Sequence, residues 1–202
     1  MKKILALLLT MTCAMFCLVG CGGTTPANSD ATSGEATGSD AGKASDYSVA
    51  MITDYGDITD QSFNQTTYES CKAFCEKNSI QFNYYKPSGD STAERVASVE
   101  KAIDEGYNVI VMPGYAFGGT LVEVSESYPD VKFIALDVAA GDILEAGVAK
   151  KNETYDYNPA NWKVEDYCYM NNVYCAVYQE ELAGYMAGYA AVKLGYKELG
   201  FL

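Results

Sequence analysis

Two short runs, Val109-Ile110-Val111-Met112 and Phe133-Ile134-Ala135-Leu136, are apolar at every position. A strand with one wet face alternates apolar and polar side chains, so runs of this kind belong to strands covered on both faces. The flanking segments agree with that. Apolar and β-branched stretches recur at Ser48–Thr53, Ile80–Tyr85, Asn108–Pro113, Val131–Asp137 and Val173–Tyr178. Between them, Ser62–Lys77, Thr92–Glu105, Phe117–Ser127 and Glu180–Leu194 carry helical spacing. Alternation at this interval predicts βαβ units: an α/β fold with a parallel sheet flanked by helices on both faces. Ligands of such open sheets bind at the carboxyl ends of the strands. That directs attention to residues 54–65, 87–91 and 114–119, and to Asp137 onward.

One stretch breaks the rhythm. Residues 138–172 hold four tyrosines and one tryptophan without a clear period, and read as a long loop insertion. A loop of such length inside a compact domain is functional or mobile. Its aromatic residues Tyr155, Tyr157, Trp162 and Tyr167 either line a cleft or dock a partner, or pack as a cover over the sheet.

The first residues have a different character. Lys2 and Lys3 precede a largely apolar run from Ile4 to Val19, and small residues close on Gly20-Cys21. Basic start, apolar middle and small-residue end form a secretory signal, and the run is shorter than the roughly 20 residues that span a bilayer. Leu18-Val19-Gly20-Cys21 resembles the bacterial lipobox, which implies cleavage before Cys21 and attachment of acyl chains to its sulfur. Each buried CH₂ contributes about 0.8 kcal/mol, so two or more chains hold a protein at a membrane surface. Residues 22–46 are Gly, Ser, Thr, Ala and Asp-rich, with no aromatic or large aliphatic residue. They predict a flexible tether with a reach of about 25–30 Å.

Charge and composition exclude several functions. The chain carries 14 basic and 27 acidic residues. Cleavage before Cys21 would remove two lysines and no acid, which makes the remainder still more acidic. Nucleic acid, which needs a basic patch, is not an expected partner. There is no histidine, which removes Ser-His-Asp and Cys-His catalysis and the imidazole metal ligand together. No enzyme activity, metal or cofactor is expected. Cys71 and Cys75 stand one helical turn apart, where disulfide geometry is rarely met, and read as small buried residues. Cys168 and Cys175 are spaced to close a short loop in an oxidising compartment, and the sequence leaves that pairing open.

The densest polar cluster runs from Thr53 to Gln65, from a strand end into a helix start. On its own it has a plain account: Asp60 or Ser62 caps the helix, Gly56 makes the turn and Phe63 packs inward. The same stretch, Thr53-Asp54-Tyr55-Gly56 through Ser62-Phe63-Asn64-Gln65, resembles the signature of the basic membrane protein family of purine-nucleoside-receptor-like substrate-binding lipoproteins. Gly114-Tyr115-Ala116-Phe117, with Ser127-Tyr128-Pro129-Asp130 and Leu136-Asp137, is similar to that family's second block. Gln179 to Gly188 is similar to its third. The three blocks lie in order between Ser48 and Leu202.

The resemblance implies a type I periplasmic-binding fold, two α/β lobes closing on a ligand, serving an ABC importer. With the leader at residues 1–20 and the tether at 21–46, it makes 47–197 a first lobe, with 198–202 opening a truncated second lobe. It implies a nucleoside ligand, purine favoured, a permease in the membrane, and a cell-membrane location on the extracytoplasmic face. Asp54 would hydrogen-bond the base and Phe63 would stack on it, a contact worth about 1–3 kcal/mol. Asn64 and Asp137 are further strand-end candidates. Gly114 would let backbone approach the ligand, and Tyr115 and Phe117 would form wall or core. Two other functions fit the same scaffold: a ligand-sensing lipoprotein signalling to a membrane receptor, which kinase genes beside it would favour, and an extracytoplasmic α/β hydrolase using carboxylates or lysines.

Overall fold

The computed structural model describes residues 46–200; the leader, Cys21 and the tether to residue 45 lie outside them, as do the last two residues. Five parallel strands form one sheet: β1 (Ser48–Ile52), β2 (Gln81–Tyr85), β3 (Val109–Pro113), β4 (Lys132–Leu136) and β5 (Val173–Ala176). Their order across the sheet is β2-β1-β3-β4-β5. Each strand is followed by a helix: α1 (Phe63–Asn78), α2 (Thr92–Asp104), α3 (Gly118–Val124), α4 (Ala140–Lys150) and, after β5, α5 (Glu180–Lys193). The α/β fold expected from the alternation is the fold observed.

The two sheet faces differ. On one, Ala50, Ile52, Ile110, Met112, Phe133 and Ala135 pack with Val99 and Ala102 of α2, Leu121 and Val124 of α3, and Ile143 of α4. Register explains the grouping, because Ala50 pairs with Ile110 and Ile110 with Phe133, so their side chains emerge together. On the other face, Val49 and Val111 meet Cys75 of α1, with Cys71, Val109, Ile134 and Leu136 partly buried around them. Cys71 and Cys75 are small packing residues, as their spacing indicated.

Two expectations need correction. Residues 138–172 are not a structureless insertion, since α4 occupies Ala140–Lys150 and 3₁₀ turns stand at Pro159–Asn161 and Val164–Asp166. Asp142 accepts from the Ala139 N–H at 2.7 Å and so closes the first turn of α4. The aromatic group behind it is a cover: Tyr155, with Trp162 and Tyr167 packed beside it, seals Leu144 and Val148. Tyr155–Trp162 and Trp162–Tyr167 meet edge to face at 5.7 and 5.6 Å. Second, β4 is not sheltered on both faces. Ile134 and Leu136 are half-buried and Tyr174 beside them is exposed, because α1 packs over β1–β3 while α5 buries none of its residues.

Candidate functional site

The strand order reverses direction of growth between β1 and β3, the switch point at which open parallel sheets form a crevice. A cavity of about 160 Å³ lies there, lined by Asp54, Tyr55, Gly56, Asp90, Arg95, Gly114, Tyr115 and Ala116. Three of the residues singled out from sequence, Asp54, Gly114 and Tyr115, are brought together in it.

Asp54 follows β1 directly. Its Oδ1 accepts from the backbone N–H of Tyr55 at 2.6 Å, of Gly56 at 2.7 Å, and from Asn64 Nδ2 at 2.9 Å. Oδ2 has no partner among the described residues and lies toward Gly114, where an added Cβ would stand 3.8 Å from it. One oxygen is therefore held by the fold and the other is left for a donor. Burial alone would raise this carboxyl's pKa. The Gly56 N–H, the Asn64 amide, the Tyr55 N–H and the charge of Arg95 outweigh that and hold it below the ordinary value. Asp54 is an ionised acceptor at neutral pH.

Asn64 stands behind Asp54, buried, with its amide fully engaged. Nδ2 donates to Asp54 Oδ1 and to Asp60 Oδ2, both at 2.9 Å, and Oδ1 accepts from the Asp54 N–H at 3.3 Å. It fixes the loop, with both of its N–H donors spent within the fold. Asp60 caps α1 by accepting from the backbone N–H groups of Ser62, Asn64 and Gln65, whereas the Ser62 side chain makes no capping bond. Gly56 is required by space rather than by backbone angle: a Cβ there would meet Asn64 Nδ2 at 2.5 Å and Asp54 Oδ1 at 3.1 Å. Gly114, in contrast, has φ +122, and its N–H is held by Leu136 O at 2.8 Å.

Tyr115 is 70% exposed at the rim, while Phe117 two residues on is fully buried, which separates wall from core. Phe63 begins α1, is half-buried, and meets Tyr178 edge to face at 6.1 Å. Neither ring lines the Asp54 cavity; they stand at the strand-end side where the loop after β5 approaches α1. Asp137 follows β4 with φ +60, and burial, then Glu180 and Asp142, raise its carboxyl. It too is not among the residues that line the cavity, although Leu136 just before it holds the Gly114 N–H.

Arg95 was missed from sequence, and Asp90 lay in the strand-end loop 87–91 without being singled out. Arg95 is 5% exposed, donates Nε–H to Asp54 O at 2.8 Å, pairs through Nη2 with Asp90, and lies 5.8 Å over the Phe117 ring. The available signal was its position: Arg95, Ser98, Val99 and Ala102 form the buried stripe of α2, and a lone charge on such a stripe has a partner. Among the described residues no cluster of metal-ligating side chains occurs, and no helix is long and apolar enough to cross a membrane. Cys168 and Cys175 are both free thiols.

A family model described as "ABC transporter substrate-binding protein PnrA-like" matches residues 47–200. A CD4+ T-cell-stimulating antigen of Listeria innocua is 27% identical over 202 residues, covering 95% of this chain and 54% of that protein. An ABC transporter nucleoside-binding protein, BmpA, of Lactococcus lactis is 19% identical over 196 residues, 95% of this chain and 45% of that protein. An uncharacterized lipoprotein of Pyrococcus abyssi is 26% identical over 103 residues, 51% of this chain and 25% of that protein. The chain spans about half the length of the curated relatives that it matches along nearly all of its own.

Proposed function

The chain belongs to the PnrA-like family of ABC transporter substrate-binding proteins, and on that footing we propose that it captures a nucleoside, purine favoured, and hands it unchanged to a membrane permease. The observation that carries the reading is Asp54. An ionised carboxylate with one oxygen immobilised and the other open at the switch-point crevice demands a ligand N–H or O–H donor, and nucleobase edges and ribose hydroxyls supply both. The name of the Lactococcus lactis relative, a nucleoside-binding protein, supports the same ligand class.

Asp54 accepts from the base, Gly114 lets the ligand come close to backbone, and Tyr115 walls the opening. Phe63, with Tyr178 braced against it, offers a ring for stacking, and Asn64 keeps Asp54 in place. Asp137 contributes from the end of β4. The cavity is smaller than the roughly 300–1,000 Å³ of complete ligand sites, in keeping with one wall of a cleft that a second lobe closes. Residues 47–197 form the first lobe, and Cys21, acylated after removal of residues 1–20, ties it through the 21–46 tether to the extracytoplasmic face of the cell membrane. No step of bond-making is assigned.

Isothermal calorimetry of the complete gene product, with Cys21 and its leader removed, against purine and pyrimidine nucleosides tests this. Saturable binding of at least one purine nucleoside is expected; no binding to any member of the panel overturns the ligand assignment.

A further inference from the structure

Arg95 holds more donors than the fold uses. A guanidinium carries five N–H groups. Nε–H goes to Asp54 O and Nη2 to Asp90, and Nη1 has no partner among the described residues although the side chain is nine-tenths or more buried and lines the Asp54 cavity. Nη1 is not one of the fully buried side-chain atoms left without a partner, so it opens onto the cavity and is met by water there; a ligand that displaces that water has to offer an acceptor in its place. The charge is already balanced by Asp90, so the need is directional rather than ionic, and an uncharged acceptor satisfies it.

We propose that Arg95 is a second ligand-reading residue, donating from Nη1 to an acceptor that sits beside the N–H taken by Asp54 Oδ2. The ligand chemistry is then a ring edge with one donor next to one acceptor. The 6-amino group with N1 or N7, and N1–H with O6, are the purine edges of that kind. The inference rests on the nucleoside reading above and sharpens it from one contact to a paired one. Arg95 also fixes Asp54, through its carbonyl, so a loss of affinity on substitution would not by itself distinguish reading from positioning. The ratio between ligands does.

The experiment measures affinities of the complete gene product for adenosine and inosine and for analogues lacking one acceptor at a time: N1, N3 or N7 replaced by C–H, or O6 by sulfur. In the unsubstituted protein one of these changes, at N1, N7 or O6, should weaken binding about tenfold or more. In Arg95→Met that ratio should collapse to within about threefold, whatever happens to overall affinity. Arg95→Lys, which keeps the charge and one donor, gives an intermediate ratio and serves if the methionine variant does not fold. A ratio unchanged by substitution at Arg95, or no sensitive acceptor in the unsubstituted protein, overturns the role of Arg95 alone. Absence of binding by every nucleoside overturns the reading beneath it as well.

Discussion

Replacing Asn64 by leucine tests how Asp54 is held. Leucine keeps much of the buried volume while removing the whole amide, so the two bonds of 2.9 Å donated to Asp54 and Asp60 are lost, together with the longer one of 3.3 Å accepted from the Asp54 N–H. A hydrogen bond to a charged group contributes about 1.5–3 kcal/mol. The Asp60 carboxylate is exposed, so its share is discounted to little. The Asp54 bond is half-sheltered and retains most of its value, which gives a net loss of about 2 kcal/mol, or about 30-fold in the unfolding constant. For a domain of this size that lowers Tm by about 4–8 °C. The deficit should also depend on pH. The folded pKa of Asp54 is depressed, with burial opposing and the Gly56 N–H, Asn64 amide, Tyr55 N–H and Arg95 prevailing. A carboxyl of this kind adds stability above its unfolded pKa, about 3.9, and loses it as pH falls through the lower folded value. Asp60, depressed against burial by Asn64 first and then by three backbone N–H groups, has the same sign. Urea unfolding followed by far-UV circular dichroism at pH 7, 5 and 2.5 should show the full deficit at the first two values and a shrunken one at the last, with unchanged m. A deficit undiminished at pH 2.5, or one under about 0.5 kcal/mol at pH 7, refutes the account.

Other substitutions probe the remaining parts. Phe63→Ala should weaken nucleoside affinity by about 5- to 150-fold, the range of base stacking, while Phe63→Tyr retains it; calorimetry with the alanine variant at full affinity removes the stacking role. Gly56→Ala forces a Cβ against the pinned Asn64 amide and should cost about 1–3 kcal/mol as overpacking, read as a lower urea midpoint; an unshifted midpoint would mean that the loop relaxes freely. Burial pushes the Cys71 and Cys175 thiols up to about 11, so at pH 8 about one in a thousand is thiolate. Iodoacetamide should leave both unmodified in the native protein and label both in urea, by peptide mass spectrometry; rapid native labelling contradicts the packing described. Cys21→Ser should abolish incorporation of labelled palmitate in cells and move the protein from the membrane pellet to the soluble fraction, whereas continued labelling would place the anchor elsewhere.

How much of this was legible depends on what each residue had to signal. The strands were, because β1, β3 and β4 are apolar over four or five successive positions and no helix-facing pattern competes. For Asp54, Gly114 and Tyr115 the parallel topology pointed only to the strand-end loops that carry them; the family resemblance singled them out within those loops. Helix α4 was hidden by Gly141 and Gly147, each costing about 1 kcal/mol of helix propensity relative to alanine. Yet Gly147 is there for packing: a Cβ would stand 2.7 Å from the Cβ of Tyr167, so the residue that obscured the helix is the one that lets the aromatic cover close over it. Helix α5 illustrates the opposite limit. It was legible in full, but it is apolar on all sides, a pattern that in soluble proteins belongs to helices buried all round, while here none of its residues is buried. Local pattern identifies an element without saying what it rests on. Arg95 combines both lessons. Its position on the buried stripe of α2 is written in the spacing, and its partners, Asp54 forty-one residues earlier and the rim cavity, follow only from β1 and β2 lying side by side. A pairing so distant along the chain is fixed by the sheet, so a buried arginine with a donor open to the crevice was the residue that local sequence could not place.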